Sequence, residues 1–472
     1  MSSALRIVPL LLLLATFCPA QEPAPRPNIV VLLSDDMGYA QLGFTGGTEV
    51  PTPNIDRIAR EGLQLTQFYV QPVCSPSRAA LMTGRYPWKN GMEERPTAVS
   101  KHGMLRDERT IAEALREAGY ATWMVGKWHL GEWQSPHLPN ARGFDHHYGH
   151  YSALIDSFTH TRNGVLDWHR NGVPVIEEGY STFLLAREAE RLIENRPADR
   201  PFFLYLPFNA VHGPHQAPDD IVARYRRLGK NAAQRAQLEA MDTAVGTVLA
   251  ALDREGLADD TLLIFTNDNG GTPNTSNGPY RGFKSAYHEG GVRVPAALRW
   301  PGRIPADKKS DALIHVTDFF PTFCRLADAD AEAGLPLDGY DVWDTLADGK
   351  PSPRTEVLYS LMTIRSGDWK LIEEGAQYYN WGKQPLQLYD IVHDPSEETN
   401  RAAEHPEIVA KLRRRLEEIR KTAREPEKSE KIPGYPPAVY GEREDRVFGE
   451  QIRRSIEALG AAKDDATRNG GQ

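Results

Sequence analysis

The chain has 472 residues, 40% hydrophobic and 25% charged, a composition that suits a large folded core and excludes a disordered or fibrous protein. Its formal net charge of −9 speaks against a nucleic-acid or anionic-membrane partner, so any site for an anionic substrate must concentrate its cations locally.

The first residues read as an export signal. Arg6 precedes an apolar run from Ile7 to Phe17, and Ala20 ends a candidate cleavage site before Gln21. The run is too short to span a bilayer. The expectation is an exported protein, periplasmic or secreted (lysosomal if eukaryotic), with no membrane attachment after cleavage. Of the three cysteines, only Cys74 and Cys324 then remain, and in an exported chain such a pair invites a disulfide.

The apolar run Asn28 to Leu33 is of buried-strand length and ends at Ser34-Asp35-Asp36. Thr52-Pro53 opens a helix lined by Ile55 and Ile58 and closed by Gly62. Cys74-Ser75-Pro76-Ser77-Arg78 precedes Ala79 to Thr83 in one short helix stopped at Gly84. Ile111 and Leu115 mark a further helix that ends at Gly119. A strand from Tyr120 to Val125 delivers Gly126-Lys127-Trp128-His129, and another from Pro201 to Leu206 leads to Asn209 and His212. Leu238, Met241, Val245, Val248 and Leu252 form a helical core stripe. Thr261 to Thr266 is a fourth strand, ending at Asn267-Asp268-Asn269. Strands alternating with helices predict an α/β fold with a mainly parallel sheet covered on both faces. Ligands bind outside the carboxyl ends of such strands, where all four runs deliver polar residues. Beyond Leu335 the pattern becomes short strands, at Val357 to Tyr359, Trp369 to Ile372 and Leu386 to Tyr389, then a charged helix from His405 to Arg424. That predicts a smaller antiparallel sheet with a covering helix.

Asp35, Asp36, Asp268 and Asn269 are a hard, all-oxygen donor set suited to Ca²⁺ or Mg²⁺ rather than zinc. Cys74 stands at a helix N-terminus, where backbone amides favour negative charge, and Arg78 lies one turn on. On these grounds alone Cys74 is an activated thiolate, a residue of a capped helix, or half of a disulfide.

The pentapeptide Cys74-Ser75-Pro76-Ser77-Arg78 resembles the signature of the type I sulfatases, in which a dedicated enzyme oxidises the cysteine to formylglycine. Val31–Gly38, Leu81–Arg85, Gly126–Gly131, Arg142–Asp145, His212 and Thr266–Gly271 are similar to that family in the same order. So are Arg281–Lys284, Glu289–Gly291, Gly367–Ile372, Leu388–Asp390 and Asp394-Pro395. Within the family, Tyr69–Cys74 and Val211–Pro218 look most like the arylsulfatase B (N-acetylgalactosamine-4-sulfatase) branch, although that branch's additional cysteines are missing.

The resemblance implies an alkaline-phosphatase-like fold: a signal at 1–20, a catalytic domain at 27–335, a small-sheet subdomain at 336–425 and a charged tail at 426–472. It also implies a sulfuric ester hydrolase with formylglycine at Cys74 and one Ca²⁺ held by Asp35, Asp36, Cys74, Asp268 and Asn269. The hydrated aldehyde would attack sulfur with one hydroxyl and release sulfate through the other. Arg78 and Lys127 would stabilise the nucleophile, and His129 would take the proton for sulfate release. Lys284 would clamp sulfate oxygens, and His212 would bind the group and protonate the leaving alcohol. The implied partners are a sulfated carbohydrate such as a galactosamine 4-sulfate, and the formylglycine-generating enzyme. Phosphate-ester or phosphonate hydrolysis by the same superfamily is the alternative, and a non-catalytic glycan binder is more remote. Gly149 to His169, rich in aromatic and histidine residues, is the candidate recognition loop, with Trp168 and His150 either facing a sugar or packed on the scaffold. The sequon Asn274-Thr-Ser276 beside the proposed metal site favours a bacterial over a lysosomal setting, because a glycan there would obstruct access.

Overall fold

The computed structural model describes residues 26–97, 101–377 and 382–426. The proposed signal peptide and, but for residue 426, the charged tail lie outside these residues. No described helix is long and apolar enough to cross a membrane.

Five parallel strands form the middle of a ten-stranded sheet: Thr261–Asn267, Asn28–Ser34, Phe202–Pro207, Ala121–Lys127 and His146–His150, in that spatial order. The first four are the four strands expected from the apolar runs. They are continuous runs rather than alternating ones because every residue in them is buried, as a sheet covered on both faces requires. Short antiparallel strands extend both edges, among them Ala296–Arg299 on one side and His169–Arg170 on the other.

Register brings the functional ends together. Ser34 pairs with Asn267, Leu33 with Pro207, and Lys127 with His150. Gly126 is required at this edge: its φ is +136°, and a Cβ there would lie 2.0 Å from the Pro207 carbonyl oxygen. Helices Pro53–Arg60 and Ser181–Glu194 both pack on the long helix Ala232–Arg254. Its predicted stripe, Leu238 to Leu252, lies wholly in the core.

The second sheet is a four-stranded antiparallel meander of Glu356–Ser360, Thr363–Ser366, Trp369–Ile372 and Gln387–Asp390. Successive residues of a strand face opposite ways, and this sheet uses both faces. Leu358, Ile364, Leu371 and Leu388 pack on Val409, Leu412 and Leu416 of the helix Pro406–Arg420. Val357, Tyr359, Ile372 and Tyr389 pack instead on Tyr69, Tyr287 and Val292 of the larger unit.

Candidate active site

Asp35 and Asp36 leave the central strand in a sharp turn. Asp35 N–H donates to the Ala210 carbonyl at 3.0 Å and Val211 N–H returns a bond to the Asp35 carbonyl at 2.8 Å. Asp36 has φ +61°, the left-handed region where aspartate is one of the few side-chain-bearing residues tolerated. This turn points both carboxylates toward Asp268 and Asn269 on the neighbouring strand end. Asn269 Nδ2 donates to Asp36 Oδ1 at 2.8 Å.

Cys74–Thr83 is a helix buried along its whole length and ended by Gly84 at φ +65°. Ser77 anchors its first turn, accepting from Gln71 N–H and donating to the Val73 carbonyl, both at 3.0 Å. Cys74 is free, as is Cys324, which is buried in the helix Phe319–Ala327. The disulfide alternative is therefore overturned. Cys74 Sγ lies 3.3 Å from His129 Nδ1.

Arg78 reaches inward rather than over the helix end. Its Nε and Nη2 donate to Asp268 Oδ2 at 3.0 and 2.8 Å, and its Nη1 donates to the Lys127 carbonyl at 2.9 Å. Lys127 Nζ donates to Asp35 Oδ2, and Lys284 Nζ is paired with Asp36 Oδ1 at 2.6 Å. His212 Nε2 stands 3.5 Å from Asp36 Oδ2, while its Nδ1 lies 2.6 Å from the Gly213 carbonyl. A carbonyl only accepts, so Nδ1 carries the hydrogen and Nε2 keeps a lone pair in the neutral ring. The structure thus brings Asp35, Asp36, Cys74, Arg78, Lys127, His129, His212, Asp268, Asn269 and Lys284 into one place.

Burial alone would raise Asp35 and Asp36. Lys127, His212 and Arg78 around the first, and Lys284 and His212 around the second, outweigh it and hold both below the usual carboxylate range. Asp268 goes the other way, pushed up to about 7 by burial and by the Asp35 charge against the pull of Arg78. Burial, then Lys127 and Arg78, hold the His129 imidazole well below its usual range, so it is neutral at pH 7.

Two acceptors in this cluster, Asp35 Oδ1 and Asn269 Oδ1, are buried without a hydrogen-bond partner. Asp35, Asp36 and His212 also present ligand atoms within 4.8 Å of one another. Unsatisfied buried oxygens are costly, and the like-charge strain on Asp268 asks for further positive charge. The residues fit a hard divalent cation.

The expectation that Gly149–His169 reads a sugar meets a different arrangement. Trp168 is fully buried, its ring stacked on His160 with centroids 4.5 Å apart, and His150 is fully buried as well. Neither is accessible to a sugar.

A buried ion network ties the small sheet to the large unit. Lys370 Nζ of the small sheet bridges Glu289 at 3.0 Å and Glu397 at 2.9 Å, all three side chains fully buried. Tyr69 OH donates to Glu289 at 2.6 Å and Glu289 N–H to Glu397 at 2.6 Å. The partners are far apart in sequence: Tyr69, Glu289 and Lys370 lie inside family-like stretches, and Glu397 lies in none.

Comparison with known proteins agrees with this geometry. The family model described as "Sulfatase" matches residues 27–329, and that described as "N-sulphoglucosamine sulphohydrolase, C-terminal" matches residues 280–422. Arylsulfatase J of Mus musculus is 32% identical, the alignment covering 84% of this chain and 76% of the relative. The N-acetylgalactosamine-6-O-sulfatase of Bacteroides thetaiotaomicron is 31% identical over 89% of this chain and 100% of its own. Among solved structures, Ps i-CgsB in complex with k-i-k-neocarrahexaose superposes with a TM-score of 0.78 at 31% identity, covering 91% of this chain and 98% of that one. Matched along most of its length by family, relatives and fold alike, the chain belongs to the sulfatase family and is a sulfuric ester hydrolase.

Proposed function

We propose that the chain removes sulfate from sulfated glycans, using a formylglycine at position 74 and one Ca²⁺. The observation that carries this reading is the position of Cys74: its sulfur faces a neutral histidine beside a cluster of three aspartates and three cationic side chains. A cysteine with a merely structural role would not require that company.

Formylglycine, as its hydrate, supplies both a hydroxyl nucleophile and a second hydroxyl through which the group is regenerated. Asp35, Asp36, Asp268, Asn269 and residue 74 would hold the ion, which supplies Lewis-acid polarisation of oxygens bound to it. The chain's own residues do the rest. His129, kept neutral, accepts a proton at Nδ1, the atom that faces residue 74. Arg78 and Lys127 stabilise the nucleophile, Arg78 also fixing the Asp268 carboxylate, and Lys284 binds the sulfate oxygens. His212 is partly open, with 17% side-chain exposure. With Nδ1 committed to Gly213, its Nε2 is the atom that, in the imidazolium form of the ring, delivers the proton needed by the leaving alcohol.

The glycan reading rests on the relatives, one named for N-acetylgalactosamine sulfate and one solved with a carrageenan oligosaccharide. Galactosamine 4-sulfate of the chondroitin or dermatan type remains the proposed substrate. We also take residues 1–20 as an export signal and the formylglycine-generating enzyme as the maturation partner. The test is desulfation of defined galactosamine 4-sulfate, galactosamine 6-sulfate and carrageenan oligosaccharides, run beside aryl sulfate, aryl phosphate and phosphodiester substrates. Turnover of a sulfated sugar above the phosphate esters supports the reading, and preference for a phosphate ester overturns it.

A further inference from the structure

We propose that Ser75 and Asp167 are positioning residues that clamp the backbone of His129 and so set its imidazole against residue 74. The inference rests on the proposed role of His129 and adds two residues that the mechanism above does not use.

His129 has φ +57°. The left-handed region costs a side-chain-bearing residue roughly 1–2 kcal/mol, and such conformations persist only where the surroundings over-determine them. Here they do so from both sides. Ser75 Oγ donates to the His129 carbonyl at 2.8 Å. On the other side His129 N–H donates to the Tyr151 carbonyl at 3.0 Å.

The Tyr151 carbonyl is itself fixed. The Asp167 carboxylate accepts the Tyr151 N–H at 3.0 Å and the Ser152 N–H at 2.9 Å, one on each oxygen, and also lies 3.0 Å from His169 Nε2. Ser75, His129 and Asp167 are all within 1% of complete burial, so water cannot substitute for any of these bonds. Although burial opposes its charge, the His169 contact holds Asp167 below the usual carboxylate range, and it is ionised.

The geometry has a direct consequence for the site. Ser75 follows the nucleophile position on the same helical turn, so its hydroxyl ties the His129 backbone to the element that carries Cys74. The 3.3 Å separation of Cys74 Sγ and His129 Nδ1 is thereby set by a closed loop of contacts. The Gly149–His169 segment carries the outer half of that clamp through Tyr151, Ser152 and Asp167. A displacement of about 1 Å in a reacting group can cost on the order of 100-fold in rate.

The test compares Ser75→Ala, Asp167→Asn and His129→Ala in the metal-loaded full chain, with rates normalised to formylglycine content measured by peptide mass spectrometry. For Ser75→Ala and Asp167→Asn the expected result is a kcat about 10- to 100-fold lower on a small aryl sulfate, with KM within about twofold of the parent. Hydrogen–deuterium exchange should accelerate at least about tenfold in the peptide around His129, while peptides of the central strands exchange as in the parent. Parent-like kcat and exchange in both variants, with His129→Ala inactive, overturns the clamp alone. A fully active His129→Ala overturns the reading of His129 on which it rests. Should Asp167→Asn fail to fold, Ser75→Ala, which removes one hydroxyl, decides the matter.

Discussion

Arg78 and Asp268 form a buried fork in which two guanidinium nitrogens share one carboxylate oxygen, Oδ2, at 3.0 and 2.8 Å. Oδ1 is left facing the Asp36 backbone amide, 3.4 Å away. Asp268 therefore serves the fold with one oxygen and has the other available to the proposed ion. Asp268→Ala removes one partner of a buried pair, a change that costs about 3–5 kcal/mol. Chemical denaturation should show that loss, and elemental analysis should show loss of bound calcium alongside loss of turnover. Stoichiometric zinc on the parent would contradict the oxygen-ligand assignment.

Mass spectrometry of the peptide containing residue 74 should find formylglycine in active protein. Cys74→Ala should have no measurable turnover. Cys324→Ala should remain active while losing about 1 kcal/mol of stability, because it removes one buried sulfur from the core. Full activity in protein wholly in the cysteine form would refute the modification.

Lys370→Met should be among the most destabilising single changes outside the catalytic cluster, by about 3–5 kcal/mol, since it takes the shared cation from buried Glu397 and from buried Glu289, which keeps Arg293 at 3.3 Å. Double replacement of Lys370 and Glu289 by apolar residues of similar volume should recover part of the loss. A double variant no more stable than the single one would place the cost in packing instead.

Stability should fall on acidification in a window set partly by His288. Burial, then the Lys370 charge, lowers its imidazole to about 4, while its nitrogen contacts Gln387 at 3.1 Å. The unfolded chain takes up this proton near pH 6.5, the folded chain only near pH 4. Its contribution is complete above pH 6.5 and is lost as pH falls through that interval, up to an amount on the order of 3 kcal/mol. Urea unfolding at pH 7 and pH 5 should therefore show a smaller pH dependence in His288→Gln than in the parent. Equal dependence would assign the acid sensitivity elsewhere.

The interior of the large sheet was legible because its four main strands are uninterrupted apolar runs, a pattern that only double-sided burial produces. The strand His146–His150 was not, since its buried side chains are imidazoles and a tyrosine, which look in sequence like a polar loop. The same misreading made Trp168 a candidate sugar platform when it is core. The site residues were legible where they sit at strand ends or inside motifs. Asp167 acts through backbone amides and Ser75 through a backbone carbonyl, and bonds to main chain leave no pattern in residue types.

The helix Cys74–Thr83 is buried from its first residue to its last and packs against Val316–Asp318 and Phe319–Ala327, far downstream. Those segments emerge from the ribosome only after most of the large sheet. Until then the helix that carries Cys74 lacks part of its cover, and once that is in place Cys74 is 3% exposed. Maturation of residue 74, as proposed, is therefore a race against folding. Slowing the closure of this late contact should raise the modified fraction, and a chain that folds before it meets its modifying partner is left with a buried cysteine.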